Sequence, residues 1–313
     1  MSEKEYAPTA HITETTLLQP TVQAWKYYLR DQGRSKHTVK AFIADLNILE
    51  SFLAPDKTIG AITTKDLENF TEWLENERDA PCSPKSLARR ITSMKSFFRW
   101  LNQNAVILVN PAEKLVQRSV TSPLPTVLSD PEIQLALKAA DEFQRGDTHD
   151  TRPFTLLSLI LETGIKKGEC LGLNLNHLDL YSPEGPFIFV RYTNPRYRYK
   201  ERKILVSDKW VDAFREYEIQ YQLTNDIFPW SPRLLEYVLE DIGKAAGLDK
   251  HISFDMCRWT SALQDLLNGI EGDKIRQKLG ISKIQWREVH LKLRKLAQGQ
   301  GFDLDTSKPD PVS

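Results

Sequence analysis

Apolar residues recur along most of the chain at helical spacing, and only two short runs break that pattern. Val39, Phe42, Ile43, Leu46, Leu49 and Phe52 follow one another at the three- and four-residue steps of one helical face. Thr63 with Asp66 three residues on predicts the start of the next helix, because a threonine cap and an acid at that spacing can satisfy each other's backbone N–H groups. From Ser83 to Leu101 the pattern is fullest: Ser83 is an N-cap, Pro84 sits at the first helical position, and Leu87, Ile91, Met94, Phe98 and Leu101 form the apolar stripe. About 160° around the same helix, at 3.6 residues per turn, lies a second stripe of Lys85, Arg89, Thr92, Ser96 and Arg99. It contains no acid. A cationic face opposite a core face suits a phosphate backbone, whereas a merely solvated face usually mixes both signs.

Asn110-Pro111 closes this helical region, and Ser119 to Thr126, with two prolines among small polar residues, reads as a linker. Beyond it Ser129, Pro131 and Glu132 open a helix, and Phe154 to Glu162 predicts a buried one closed by Gly164. Strand signals follow in Phe187 to Val190 and Lys203 to Val206, joined by the basic loop YTNPRYRYKE. Helices are then expected at Lys209 to Tyr221, Pro232 to Ala246, Asp255 to Asn268, Asp273 to Leu279 and Lys283 to Ala297. The expected organisation is a flexible arm over 1–20, a helical domain over 21–118, a linker over 119–126, a second domain over 127–297 and a tail over 298–313.

The 313 residues suffice for two domains, and 41% apolar residues suffice for a core in each. Cys82, Cys170 and Cys257 are odd in number and lack CxxC spacing, the usage of a reducing compartment, and read as packing residues. The N-terminus is polar where a signal peptide needs an apolar run, and Phe154 to Leu161 is too short to span a bilayer. The expectation is a cytoplasmic protein without membrane contact. Net charge is +0, so composition by itself says nothing of nucleic acid. The distribution does: Lys85, Arg89, Arg90, Lys95, Arg99, Lys114 and Arg118 face only Glu113 in their segment, and residues 191–203 and 274–295 are similarly basic.

Five segments carry a family resemblance. SPKSLARRITSMKSFFRWLNQNAVILVNPAEKL is similar to the helical core-binding domain of the tyrosine recombinase and phage integrase family, and TGIKKGECLGLNLNHLDL, KERKILV, DMCRWTSALQDLLNG and KLGISKIQWREVH resemble its catalytic domain in layout. The likeness covers residues 21 to 297 and lies nearest the Xer-like branch. It implies a mainly α protein: an N-terminal SAM-like core-binding domain and a C-terminal α+β catalytic-like domain with a small antiparallel sheet. It also implies duplex DNA as partner, and neither the resemblance nor the histidine spacing implies a cofactor or a metal.

The family's reaction needs a tyrosine to attack a phosphodiester, two arginines to neutralise the non-bridging oxygens, and a lysine and histidines to move protons. Carried over residue by residue, the first arginine position holds Lys166, which keeps charge but loses the planar fork. Counting back from Arg202, the lysine of the sheet loop falls at Tyr197, with Arg196, Arg198 and Lys200 crowding the loop. The His-x-x-Arg pair reads Asp255 and Arg258; the later histidine is Ile281, and the nucleophile position holds His290. No tyrosine follows Tyr237. Arg258 has two open roles, phosphate contact or ion pair with Asp255 one turn back. His251 stands one turn before Asp255 and takes the lost histidine's face if that helix starts early.

The expected function is a duplex DNA-binding pseudo-recombinase, an accessory, targeting or regulatory factor such as a mobile element uses, nucleoid-associated when bound and without DNA cleavage. Its expected contacts are Lys85, Arg89, Arg90, Lys95, Arg99, Lys166, Arg196, Arg198, Lys200, Arg202 and Arg258. The alternatives are a divergent strand-transferase that uses His290 or a partner subunit's nucleophile, and an interaction module. In the latter, Lys283 to Leu296 docks on a second copy or on an active recombinase or transposase.

Overall fold

The computed structural model describes residue 9 and residues 11–78, 80–117, 123–145 and 149–302. Arg118, linker residues 119–122 and the tail from 303 onward lie outside these. The chain forms two compact units, residues 1–123 and 124–313. Among the described residues no helix is long and apolar enough to cross a membrane.

The first unit is built from α1 (Leu18–Asp31), α2 (Lys36–Phe52), α3 (Thr64–Asn76) and α4 (Pro84–Gln103). The caps form where the side chains call for them. Thr63 and Asp66 close a reciprocal capping box, and Ser83 accepts the Ser86 N–H with Pro84 in the first turn. The core is aromatic: the Trp25 ring lies 5.8 Å from Phe42 and 5.3 Å from Phe97, edge-on to the latter. Residues 11–17 do not behave as an arm. Leu17 bridges Thr58, and the Glu14 carbonyl accepts the Gly60 N–H at 2.8 Å, so the backbone itself ties this stretch down.

The second unit is organised around α6 (Arg152–Thr163), a helix buried on nearly every side and packed against α5 (Asp130–Arg145), α8 (Asp208–Tyr221), α9 (Pro232–Ala245) and α10 (Phe254–Leu267). It ends at Gly164 in the left-handed region, φ +59°, as the glycine predicts. A short α7 (Lys167–Cys170) follows, then β1 (Leu178–Asp179), β2 (Phe187–Val190) and β3 (Arg202–Leu205). The sheet is antiparallel in the order β1-β2-β3, with Ile188 opposite both Leu178 and Ile204. Two-residue β1 gives no periodic signal, which is why only two strands are legible in the sequence.

The chain closes with α11 (Gly272–Leu279) and α12 (Lys283–Gly299). Trp286, Leu293 and Ala297 of α12 are buried with Ala262 and Leu263 of α10 and with Ile275 and Leu279 of α11. These three residues of α12 are thus packed within the unit itself. Ile284 and Leu291 are what α12 leaves exposed.

Candidate functional site

The left-handed turn at Gly164 ends α6 and delivers Lys166 to the start of α7, where its N–H donates to Glu169 Oε2 at 2.9 Å. Glu169 is the hub of the site. Its side chain is 3% exposed, and Arg202 reaches it from β3 with two nitrogens, at 2.9 and 3.2 Å. The Tyr192 hydroxyl donates to the same carboxylate, and Lys166 Nζ stands 3.9 Å away. Burial pushes the Glu169 carboxyl up, but the hydrogen bonds and charge of Arg202, with those from Lys166 N–H and Tyr192, outweigh it and hold the group down to about 2.

Arg202 is itself anchored, donating from Nε to the Lys278 carbonyl at 2.6 Å and from Nη1 to the Lys200 carbonyl at 3.1 Å. Gly280 makes room for it. That residue has φ +60°, and a Cβ there would stand 2.5 Å from Arg202 Nη1, so both backbone and space demand glycine. Arg258 plays a similar tying role from α10, donating to the Gly164 carbonyl and, at 2.6 Å, to the Leu279 carbonyl. It joins the ends of α6 and α11. Burial lowers Arg258 to about 10, with Glu169 opposing and Arg202 assisting.

Lys166, Asp255 and Arg258 line one cavity of about 260 Å3, together with Lys167, Glu236, Ser253 and Phe254. Lys167 Nζ pairs with Glu236 at 2.5 Å. Burial lowers the Lys166 amine to about 8; the Glu169 charge raises it, and Arg258, Lys200 and Arg202 lower it further. With Lys167 and Glu236 paired, Lys166, Lys200, Arg202 and Arg258 outnumber the buried Glu169 and the Asp255 on the cavity wall, which leaves an excess of positive charge. An anion there would relieve repulsion.

Residues 22–104 match the family described as phage integrase, N-terminal SAM-like domain. Over 292 residues the chain is 27% identical to the tyrosine recombinase XerC of Corynebacterium efficiens, covering 88% of this chain and 87% of that protein. A match to XerC of Mycobacterium sp. (strain JLS) is 29% identical over 52% of this chain, and there the chain spans about half of the relative, 55%. In fold it is similar to a lambda integrase (75–356) dimer bound to a COC' core site, with a TM-score of 0.71 and 14% identity over 93% of this chain and 99% of that one. It is also similar to the XerH site-specific recombinase bound to palindromic difH substrate, with a TM-score of 0.69 and 15% identity over 91% and 83%. The chain therefore carries the SAM-like domain of phage integrases over residues 22–104 and is similar to Xer-type tyrosine recombinases along most of its length.

Of the six positions carried over from tyrosine recombinases, the cavity gathers Lys166, Asp255 and Arg258 and not the others. Tyr197 lies on a 3-10 turn over Pro195–Lys200, its ring 5.8 Å from Tyr192 and 5.0 Å from Lys200 Nζ. The loop cation that acts on Lys166 is Lys200, three residues on from the position that counting back from Arg202 selects. Ile281 packs in the small core beneath α12. The His290 ring stacks on Trp286 one turn earlier, 5.2 Å between centroids. α10 begins at Phe254 with Ser253 as its cap, so His251 lies outside the helix and meets Glu240 at 3.5 Å instead. Arg258 donates to backbone carbonyls, which replaces the ion pair with Asp255 that helical spacing suggests.

Among the cations of the sequence pattern, Lys85, Arg99, Arg196 and Arg198 are exposed and Lys95 and Lys200 are half-buried. Arg90 and Arg202 leave the surface set. Arg202 is 9% exposed and occupied by Glu169, while Arg90 lies 3.5 Å from buried Asp45 and donates to Cys82 Sγ at 2.7 Å. Arg89 also pairs with Asp45, which belongs to α2 and so is invisible to a pattern read along α4. Glu169 and Tyr192 were missed by residue-type reasoning. Two signals marked Glu169: its place in the TGIKKGEC segment that carries the resemblance, and its capping-box spacing from Lys166.

Proposed function

We propose that this protein binds duplex DNA without cutting it by tyrosine chemistry, as an accessory, targeting or regulatory member of its family. The observation that carries this reading is the content of the Lys166 cavity: Lys166 and Arg258 bring positive charge, Asp255 stands where the family has a histidine, and no tyrosine follows Tyr237 in the sequence. Loss of a single transition-state donor costs about 3–4 kcal/mol, a factor of hundreds. Here several are changed together. An aspartate on the cavity wall also repels a phosphodiester.

Binding tolerates such changes because phosphate contacts are spread over many side chains, whereas catalysis needs a few held to within about 0.5 Å. Lys85, Lys95 and Arg99 on α4, and Lys166, Arg196, Arg198 and Lys200 in the second unit, supply the spread contacts in this reading. That a lambda integrase and XerH are seen on their DNA sites supports the partner. The test uses a duplex and a nicked suicide version of it. The expected result is binding that weakens steeply between about 50 and 200 mM salt, with log K falling by about 0.9 per phosphate contact per log unit of salt, and no covalent adduct on the nicked strand. No binding at about 50 mM salt, or a slope near zero, sinks the DNA reading. A trapped adduct sinks the claim of lost chemistry and favours the strand-transferase alternative.

A further inference from the structure

The second unit holds another concavity, larger than the Lys166 cavity, at about 650 Å3. That volume is within the range of about 300–1,000 Å3 typical of sites for small organic groups. Its lining combines aromatic, neutral polar and cationic side chains with two carboxylates, Glu169 and Glu201, which are already engaged by Arg202 and by the Tyr192 N–H. Phe189 of β2 and Tyr192 supply aromatic surface. Both are held: the Arg191 guanidinium lies 4.7 Å from the Phe189 ring centroid, and the Tyr192 hydroxyl is fixed on Glu169. Asn174 and His177 supply neutral donors and acceptors, with the Asn174 N–H donating to His177 Nδ1 at 3.3 Å. Burial and the Arg191 charge keep His177 below the usual imidazole range, which favours the neutral ring. Arg191 and Arg198, both exposed, supply positive charge.

Aromatic faces, a neutral hydrogen-bonding edge and exposed arginines are what a nucleotide needs when its base is out of the stack: a face to stack on, partners for its edge, and charge for its phosphate. A regular duplex offers none of its base faces. An unpaired base offers one at a lower cost, because no base pair has to be broken to extrude it. Resting on the DNA-binding reading above, we infer that this concavity receives an extrahelical nucleotide, so that the protein prefers duplex carrying a flipped-out base to regular duplex.

The experiment measures fluorescence anisotropy of the full chain, at one salt concentration, with three labelled duplexes: regular, with a single adenine bulge, and with the same bulge lacking its base. The expected result is binding of the adenine bulge about tenfold tighter than either of the others, the size of one base–aromatic stack. In Gly168→Leu that ratio falls toward one. Gly168 lines the concavity and an added Cβ there meets nothing within 4 Å, so a side chain can be introduced at this point of the wall without a clash at its first atom. Taking the ratio within each variant cancels any general weakening. Equal binding of all three duplexes overturns the inference and leaves the DNA-binding reading standing, as does a baseless bulge that binds as tightly as the adenine one, which would mean recognition of the bend. Deoxyadenosine monophosphate as competitor separates the two sources of nucleotide: its tight binding with no bulge preference assigns the site to free nucleotide and overturns the inference. Failure to bind any of the three duplexes removes the DNA-binding reading and the inference together.

Discussion

Replacing Arg202 with methionine removes the charge that makes Glu169 tolerable in the interior. The Glu169 side chain is 3% exposed, and its environment as a whole holds the carboxyl at about 2 against an ordinary 4.5. That difference corresponds to about 3 kcal/mol in favour of the folded state, present at pH above the ordinary carboxylate value and lost as pH falls toward 2. Breaking a buried pair by deleting one partner typically costs about 3–5 kcal/mol, because the remaining charge is left in a poor dielectric. Arg202→Met also strands the Lys278 and Lys200 carbonyls that the guanidinium serves, which adds to the cost. With burial unopposed by Arg202, the Glu169 carboxyl shifts upward, so the variant is penalised most at pH 7 and regains stability as pH falls and Glu169 takes a proton. Urea unfolding at pH 7 and pH 5, with hydrogen exchange at β2 and β3 amides to assign the transition to the second unit, measures both. The expected loss is about 3–5 kcal/mol at pH 7 and clearly less at pH 5, and Arg202→Met/Glu169→Leu recovers part of it by removing the orphaned charge. A loss below about 1 kcal/mol, the scale of an exposed ion pair, or an equal loss at the two pH values, refutes this account of the site.

Gly280→Ala forces a side chain into φ +60° and against the Arg202 guanidinium, and should cost about 1–3 kcal/mol in thermal or urea melts; a cost within about 0.5 kcal/mol of zero would contradict the packing described. Asp45→Asn deprives Arg89 and Arg90 of a carboxylate that is 2% exposed, and the first unit is expected to lose about 3 kcal/mol or more, read from its unfolding midpoint. If Lys166 contacts phosphate, duplex affinity is flat with pH below about 8, where its amine is already protonated, and weakens above it because binding must then take up a proton. Anisotropy between pH 7 and 9.5 follows this. Lys166→Arg should flatten the dependence, and an unchanged pH profile in that variant would remove Lys166 from the contact set.

What the sequence by itself determined is everything that depends on near neighbours. Ser83 with Pro84, Thr63 with Asp66, and Gly164 mark helix ends because caps and left-handed turns are decided within about one helical turn. The apolar stripe of α4 predicts its buried face for the same reason: period and face are properties of one helix. The absence of tyrosine after Tyr237 is equally a property of the sequence, and no packing changes it. The fate of each charge is different. Arg89 meets a carboxylate 44 positions away and Arg202 meets one 33 positions away, so whether an arginine faces solvent or an internal acid is decided only when distant segments pack. Tertiary structure likewise placed Glu169 at the centre of the site, turned Arg258 onto two backbone carbonyls, and packed Trp286, Leu293 and Ala297 of α12 within their own unit. The physical reason is common to these cases. Local propensity depends on backbone geometry within a turn, whereas burial of charge depends on which partner the fold brings near enough to offset the lost water.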